Sequence, residues 1–229
     1  MTAYLGRVVR AVLPTVSASS AGGFWNPVMA QYYQQAGLWP DGSGADPYFP
    51  YNTLLLNGDG TNGAQNNTFL DGSTNNFTIT RNGNTTQGAF NPYVGPGCWS
   101  NYFNGSSYLS FAANASLNIL SGGDFTIEAW VINNASSPNN STIVGTPVGG
   151  SGVGYSLRMN SSRQFEWVWP GVAAYGFGPT AQTQGVWYHI AICRVGNAIT
   201  GYINGTGYSI TSTTRTSDSG AATLVGADA

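Results

Sequence analysis

The stretch DFTIEAWVIN, residues 124–133, alternates with a period of two: Phe125, Ile127, Ala129 and Val131 fall on one face, Thr126, Glu128, Trp130 and Ile132 on the other. Apolar side chains stand on both faces, which predicts an inner strand of two stacked sheets. The period recurs in NNFTITRNGN, GYSLRMN, QFEWVWP, WYHIAICRV, AITGYIN and YSITST, with glycine, asparagine and serine in the intervals. YNTLLLNGDG reads as a strand ending at Asn57 and Gly58, and SNYFNGSSYLSF as a hairpin turning at Asn104-Gly105. Helices draw on Ala, Leu, Glu and Lys, whereas Gly, Asn, Ser and Thr dominate here and aromatics make up 13% of the chain. The expected fold is all-β, an antiparallel β-sandwich or jelly roll with many short strands.

Residues 1–45 differ in character. YLGRVVRAVLPTVS leans towards β structure, Ser17–Gly23 reads as a small-residue hinge, and FWNPVMAQYYQQAGLWP holds one short helix at most. In that helix Asn26 caps, Pro27 takes the first position and Gly37 ends the turn. DGSGAD is a linker, so the division expected is an N-terminal arm, 1–45, and a sandwich, 46–229. Arg7 and Arg10 interrupt what would be the apolar region of a secretion signal, and no apolar run approaches the roughly 18 residues of a membrane span. The expectation is a soluble chain made in a cytoplasm, whose Asn-x-Ser/Thr triplets are turns and not glycan acceptors.

Seven arginines, no lysine and a net charge of −2 leave no basic patch to neutralise a phosphate backbone, so nucleic acid is excluded as a partner. Cys98 and Cys193 show no metal-ligand spacing; free buried thiols are the simpler reading, and a disulfide between them is the alternative. The only histidine, His189, shares a strand face with Trp187, Ala191 and Cys193. A catalytic Cys–His pair would need direct contact, yet positions i and i+4 of a strand lie about 13 Å apart. His189 is therefore expected as a satisfied core residue, hidden with both thiols inside the sandwich.

GDFTIEAWV at 123–131, followed by WYHIAICRVGNAITGYINGT, resembles the signature segments of laminin G-like, concanavalin A-like jelly-roll domains. NTLLLNGDGTNG, FLDGST and YFNGSSYLSF match the opening of that family in the same order, so the resemblance spans about residues 46–226. FWNPVMAQYYQQAGLWP before DPYF further resembles N-terminal segments of bacteriophage, especially cyanophage, virion structural proteins that carry such domains. The family ends in a strand of the type GYIDEVRI, whereas the sequence here stops at TLVGADA. A gap in the sandwich is expected there, filled by GRVVRAVLPTVS, a neighbouring chain or further residues.

The resemblance implies a virion structural protein, a capsid decoration or a tail or fibre component, that displays a lectin-like domain. Val8, Val9, Val12, Leu13, Phe24, Trp25, Tyr32, Tyr33, Leu38 and Trp39 would dock on capsid, portal, tail or fibre proteins or on copies of the same chain. The alternative is a module that binds glycans of a host surface, with Trp167, Trp169, Tyr175 and Phe177 as a stacking platform. Some relatives are glycosidases with an E-x-D-x-x-E strand. Asp124, Thr126 and Glu128 keep only part of that pattern, and Glu166 is the other glutamate, so a non-enzyme is expected. No cofactor is expected; Asp59 and Asp71, in Gly- and Asn-rich turns, are the weak calcium candidates, and Asx-turns account for them more simply.

Overall fold

In a computed structural model, the structure describes residues 16–17, 20–21, 49–56, 58, 68–88, 90–92, 99–117, 119, 123–134, 140–146, 154–211 and 221–227. The chain divides into two compact units, Met1–Asn52 and Thr53–Ala229. In the first, β1 (Val16–Ser17) and β2 (Ser20–Ala21) pair antiparallel, and a 3₁₀ turn spans Phe49–Tyr51. The short helix and all ten docking candidates, from Val8 to Trp39, lie outside the described residues.

The second unit is the sandwich. Its strands are β3 (Ile79–Asn82), β4 (Thr86–Gly88), β5 (Ser100–Tyr102), β6 (Tyr108–Phe111), β7 (Phe125–Ile132), β8 (Ser141–Gly145) and β9 (Ser156–Met159). They continue as β10 (Phe165–Trp169), β11 (Ala173–Phe177), β12 (Trp187–Val195), β13 (Ala198–Ile203), β14 (Thr206–Ile210) and β15 (Thr223–Val225). One sheet has seven strands in the order β11-β10-β9-β8-β15-β6-β3; the facing one has four, β14-β13-β12-β7; β4 and β5 form a separate ribbon. Every pairing is antiparallel.

The alternation read from the sequence fixes what enters the core. Phe165, Trp167 and Trp169 of β10 meet Ile190 and Ile192 of β12, with Leu157, Phe177, Ile199, Ile203 and Ile210 around them. Burying each such side chain contributes about 1.5–3 kcal/mol, and the aromatic pairs add directional contacts. Tyr155 stacks on Trp167 at 5.5 Å between centroids, and Trp169 meets it edge-on at 5.1 Å. Arg194 also points inward, donating from Nε to Gly123 O at 2.7 Å and lying over the Phe125 ring at 4.9 Å. Carbonyl dipoles and an aromatic face thus replace the water that a buried guanidinium loses.

Three expectations need correction. Thr53–Leu56 form no strand; Gly72 N donates to Leu55 O at 2.8 Å as an isolated tie. SNYFNGSSYLSF is no hairpin, because β5 pairs with β4 while β6 pairs with β3 and β15, so the chain changes layer at Asn104-Gly105. The gap expected at TLVGADA is absent: β15 lies between β6 and β8 with ladders on both sides. Short strands of near-equal hydrophobicity carry little information about their partner, which is chosen by long-range packing.

Candidate functional site

In β12, Ile190 and Ile192 face the core, which turns Trp187, His189, Ala191 and Cys193 outward. The expectation that the sandwich hides His189 is therefore wrong: branched aliphatic side chains take the interior and the polar set takes the open face. Register places Trp130 opposite His189, Glu128 opposite Ala191 and Thr126 opposite Cys193, while Tyr202 and Thr200 lie on the other side of Ala191 and Cys193. Cross-strand partners share a face, so these residues form one outer surface of the four-stranded sheet. Cys193 is a free thiol accepting a 3.5 Å hydrogen bond from Thr126 Oγ1; Cys98 lies outside the described residues.

On that surface Trp130 is 41% exposed, and its ring lies 5.2 Å from that of His189. Nε2 of His189 is 3.4 Å from Oε2 of Glu128, with side chains 30% and 65% exposed. An ion pair so open to water adds little to stability. Its backbone is better anchored: the His189 N–H donates to Asn204 Oδ1 at 2.9 Å, tying β12 to the β13–β14 turn. Ala191, small and in the middle of its row, keeps the surface low between Glu128 and Tyr202. Gly207 does the same beyond it, where an added Cβ would meet Tyr202 Cε1 at 3.1 Å. The result is a shallow aromatic face with a carboxylate, an imidazole, a phenol and two threonine hydroxyls at its margins. Such a face stacks on an apolar ring surface and exchanges hydrogen bonds with hydroxyls.

The residues put forward from sequence as a sugar platform are elsewhere. Trp167 and Trp169 are 0% exposed, Phe177 is buried and stacks on Phe165 at 6.1 Å, and Tyr175 packs half-buried on the same core. None of Trp167, Trp169 and Phe177 offers a ring face to a ligand, because the core between the sheets claims them. Trp130, His189 and Tyr202 were missed; the available signal was that Trp130 falls opposite Phe125 and Ile127 in the alternation of β7.

Carboxylates do not gather here. Glu166 lies on the outer face of the seven-stranded sheet, between the inward Phe165 and Trp167, and accepts from Arg158 Nε at 2.9 Å and Asn160 Nδ2 at 2.6 Å. Glu128 and Glu166 thus stand on opposite outer surfaces and cannot flank one glycosidic bond. Asp71 is buried: Oδ1 accepts from the N–H groups of Leu55 and Ser73, both at 2.9 Å, and Oδ2 from Phe77 N at 2.9 Å and Ser73 Oγ at 2.8 Å. Burial raises its pKa, but the donors outweigh that and hold it below the ordinary value. With four donors on its two oxygens, Asp71 serves as a turn anchor. Asp59 lies outside the described residues, among which no group of three His, Cys, Asp or Glu side chains assembles. No helix among the described residues is long and apolar enough to cross a membrane.

A two-sheet antiparallel sandwich of this topology defines a lectin-like jelly-roll domain. Residues 103–229, more than half of the 229-residue chain, match the model of the concanavalin A-like lectin/glucanases superfamily, laminin G type, and the chain belongs to that superfamily. No curated protein matches it. Among solved structures, the chain is similar to the binding domain of Botulinum neurotoxin DC in complex with rat synaptotagmin II, with 15% identity and a TM-score of 0.52. That match covers 77% of this chain and 44% of the other, so the chain spans less than half the length of that relative. It is also similar to domain 4 of AbnA, a GH43 extracellular arabinanase from Geobacillus stearothermophilus, in complex with arabinotriose. There the identity is 19%, the TM-score 0.51, and the match covers 69% of this chain and 77% of that one. At these identities the likeness is one of fold.

Proposed function

We propose that this domain is a non-catalytic glycan-binding module whose binding surface is the outer face of the four-stranded sheet. The observation behind this reading is the exposed Trp130 ring beside His189 and Glu128 on a face lined by Tyr202, Thr126 and Thr200. Trp130 stacks on the apolar face of a sugar ring, and the Glu128 carboxylate accepts from its hydroxyls. That a sandwich of similar fold, domain 4 of AbnA, was solved with arabinotriose supports the reading. The setting we favour is a phage particle, with residues 1–45 docked on other virion proteins and the sandwich turned towards the host surface; its support is the wording of residues 24–40. A glycan array probed with the full chain, followed by titration of the best ligand against Trp130→Ala, tests the module. Binding by the wild type that Trp130→Ala weakens supports it; a folded chain that binds no glycan, or binds as well without Trp130, overturns it.

A further inference from the structure

The β4–β5 ribbon holds a group of oxygens that the sugar site does not use. Gln87 and Asn101 are direct cross-strand partners, so their side chains leave the ribbon on one face, and Thr85, two residues before Gln87, follows onto the same face. Thr85 is 0% and Gln87 3% exposed. Thr85 Oγ1, Gln87 Oε1 and Asn101 Oδ1 are all buried, and none has a hydrogen-bond partner among the described residues. Two neighbouring groups are committed elsewhere: Gln87 Nε2 donates to Thr68 O at 3.3 Å, and Thr85 O accepts from Arg81 Nε at 2.6 Å. Reversing the Gln87 amide would set its oxygen against Thr68 O, so the contact fixes which end is left free.

A second feature lies at the same place. Gly58 is buried with φ +70°, and a Cβ built on it would stand 3.4 Å from Asn101 Oδ1 and 3.3 Å from the Trp99 carbonyl oxygen. The missing side chain thus leaves a small space edged by a main-chain and a side-chain oxygen. Orphaned buried acceptors are rare, because each forfeits the hydrogen bonds it had in water. A single water can accept from the Thr85 hydroxyl and donate to two acceptors, which leaves one of the Gln87, Asn101 and Trp99 oxygens unserved, whereas a cation addresses all four oxygens together.

We propose that Thr85 Oγ1, Gln87 Oε1 and Asn101 Oδ1, with the Trp99 carbonyl, hold a hard cation, calcium or an alkali ion, against the β4–β5 ribbon. Calcium accepts amide and main-chain carbonyls as ligands, and a set without a carboxylate among the named atoms places its affinity near the millimolar end of the protein range. The bound ion would clamp β4 to β5 and to the Gly58 segment.

The test uses the full chain, stripped with chelator and melted while calcium, sodium or potassium chloride is raised at constant ionic strength with choline chloride. One of these cations is expected to raise the melting temperature by a few degrees between about 0.1 and 10 mM, as mass action requires for a ligand of the native state. Thr85→Val and Asn101→Leu, which exchange an orphaned acceptor for an apolar group of similar shape, are expected to abolish that rise while melting no lower than the stripped wild type. A wild type indifferent to all three salts overturns the proposal and leaves the oxygens to water. So does a rise that survives both substitutions, which would put the ion elsewhere. Equilibrium dialysis of the wild type against radioactive calcium, sodium or potassium reads stoichiometry even if a variant fails to fold: one ion per chain supports the site, and none overturns it.

Discussion

At Asp71 four donors converge on one carboxylate, and two come from Leu55 and Phe77, 16 and 6 positions away in sequence. The carboxylate therefore joins two stretches that share no strand ladder. Its folded pKa lies below that of the unfolded chain, so the stabilisation is complete above the unfolded value, near 3.8, and is lost as pH falls through the lower folded value. Asp71→Asn keeps one acceptor and turns an NH₂ group towards N–H donors. It is expected to cost about 2–4 kcal/mol at pH 7, from hydrogen bonds to a charged group, and progressively less below about pH 4. Urea denaturation of both proteins at pH 7 and pH 3 reads the difference directly. Trp130 is the opposite case, a ring 41% exposed to solvent. Trp130→Ala is expected to weaken glycan affinity about tenfold, the scale of one aromatic contact, and to move the melting temperature by no more than about 2 °C. Titration calorimetry and a thermal melt on the same sample separate the two effects.

Strands β7, β12 and β13 were legible in the sequence because each alternates over six or more residues. Which of the two faces turns inward was not, since a period of two defines a pair of faces and only the opposing sheet chooses between them. Trp187, His189, Ala191 and Cys193 hold as much aromatic surface as Tyr188, Ile190 and Ile192, and the choice fell to the branched pair, which joins Trp167 and Phe177 in the core cluster. The same ambiguity misplaced the sugar platform: a Trp-x-Trp strand serves a core as well as a ligand, and the β10 tryptophans met the facing sheet. Gly201 shows the facing sheets meeting. It sits inward on β13 opposite Ile192, and a Cβ there would stand 2.5 Å from Phe177 Cδ2 on β11. A strand glycine at such a point marks close approach and not a turn. Gly201→Ala is expected to cost about 1–3 kcal/mol through overpacking, visible as a lower denaturation midpoint with an unchanged slope.

For the whole molecule the decisive fact is that two sheets intervene between the described glutamates. The layers pack about 10 Å apart, and Glu128 and Glu166 point away from each other on their outer surfaces. Retaining hydrolysis asks for carboxyl groups about 5–5.5 Å apart and inverting hydrolysis about 6.5–9.5 Å, so neither geometry can be met without unfolding the sandwich. Glu166 is also held by Arg158 and Asn160, which fixes it as an acceptor within its own sheet. The two residues should therefore separate cleanly in function. Glu128→Gln is expected to weaken glycan binding several-fold, since a charged acceptor becomes a neutral one, and Glu166→Gln to leave binding unchanged while losing stability through the Arg158 contact. Prolonged incubation of the wild type with arabinan, laminarin and the best array ligand is expected to release no reducing ends. Release that vanishes in either variant would mean that a carboxylate of this fold does chemistry after all, and that the outer face of the four-stranded sheet is a reaction surface and not a binding one.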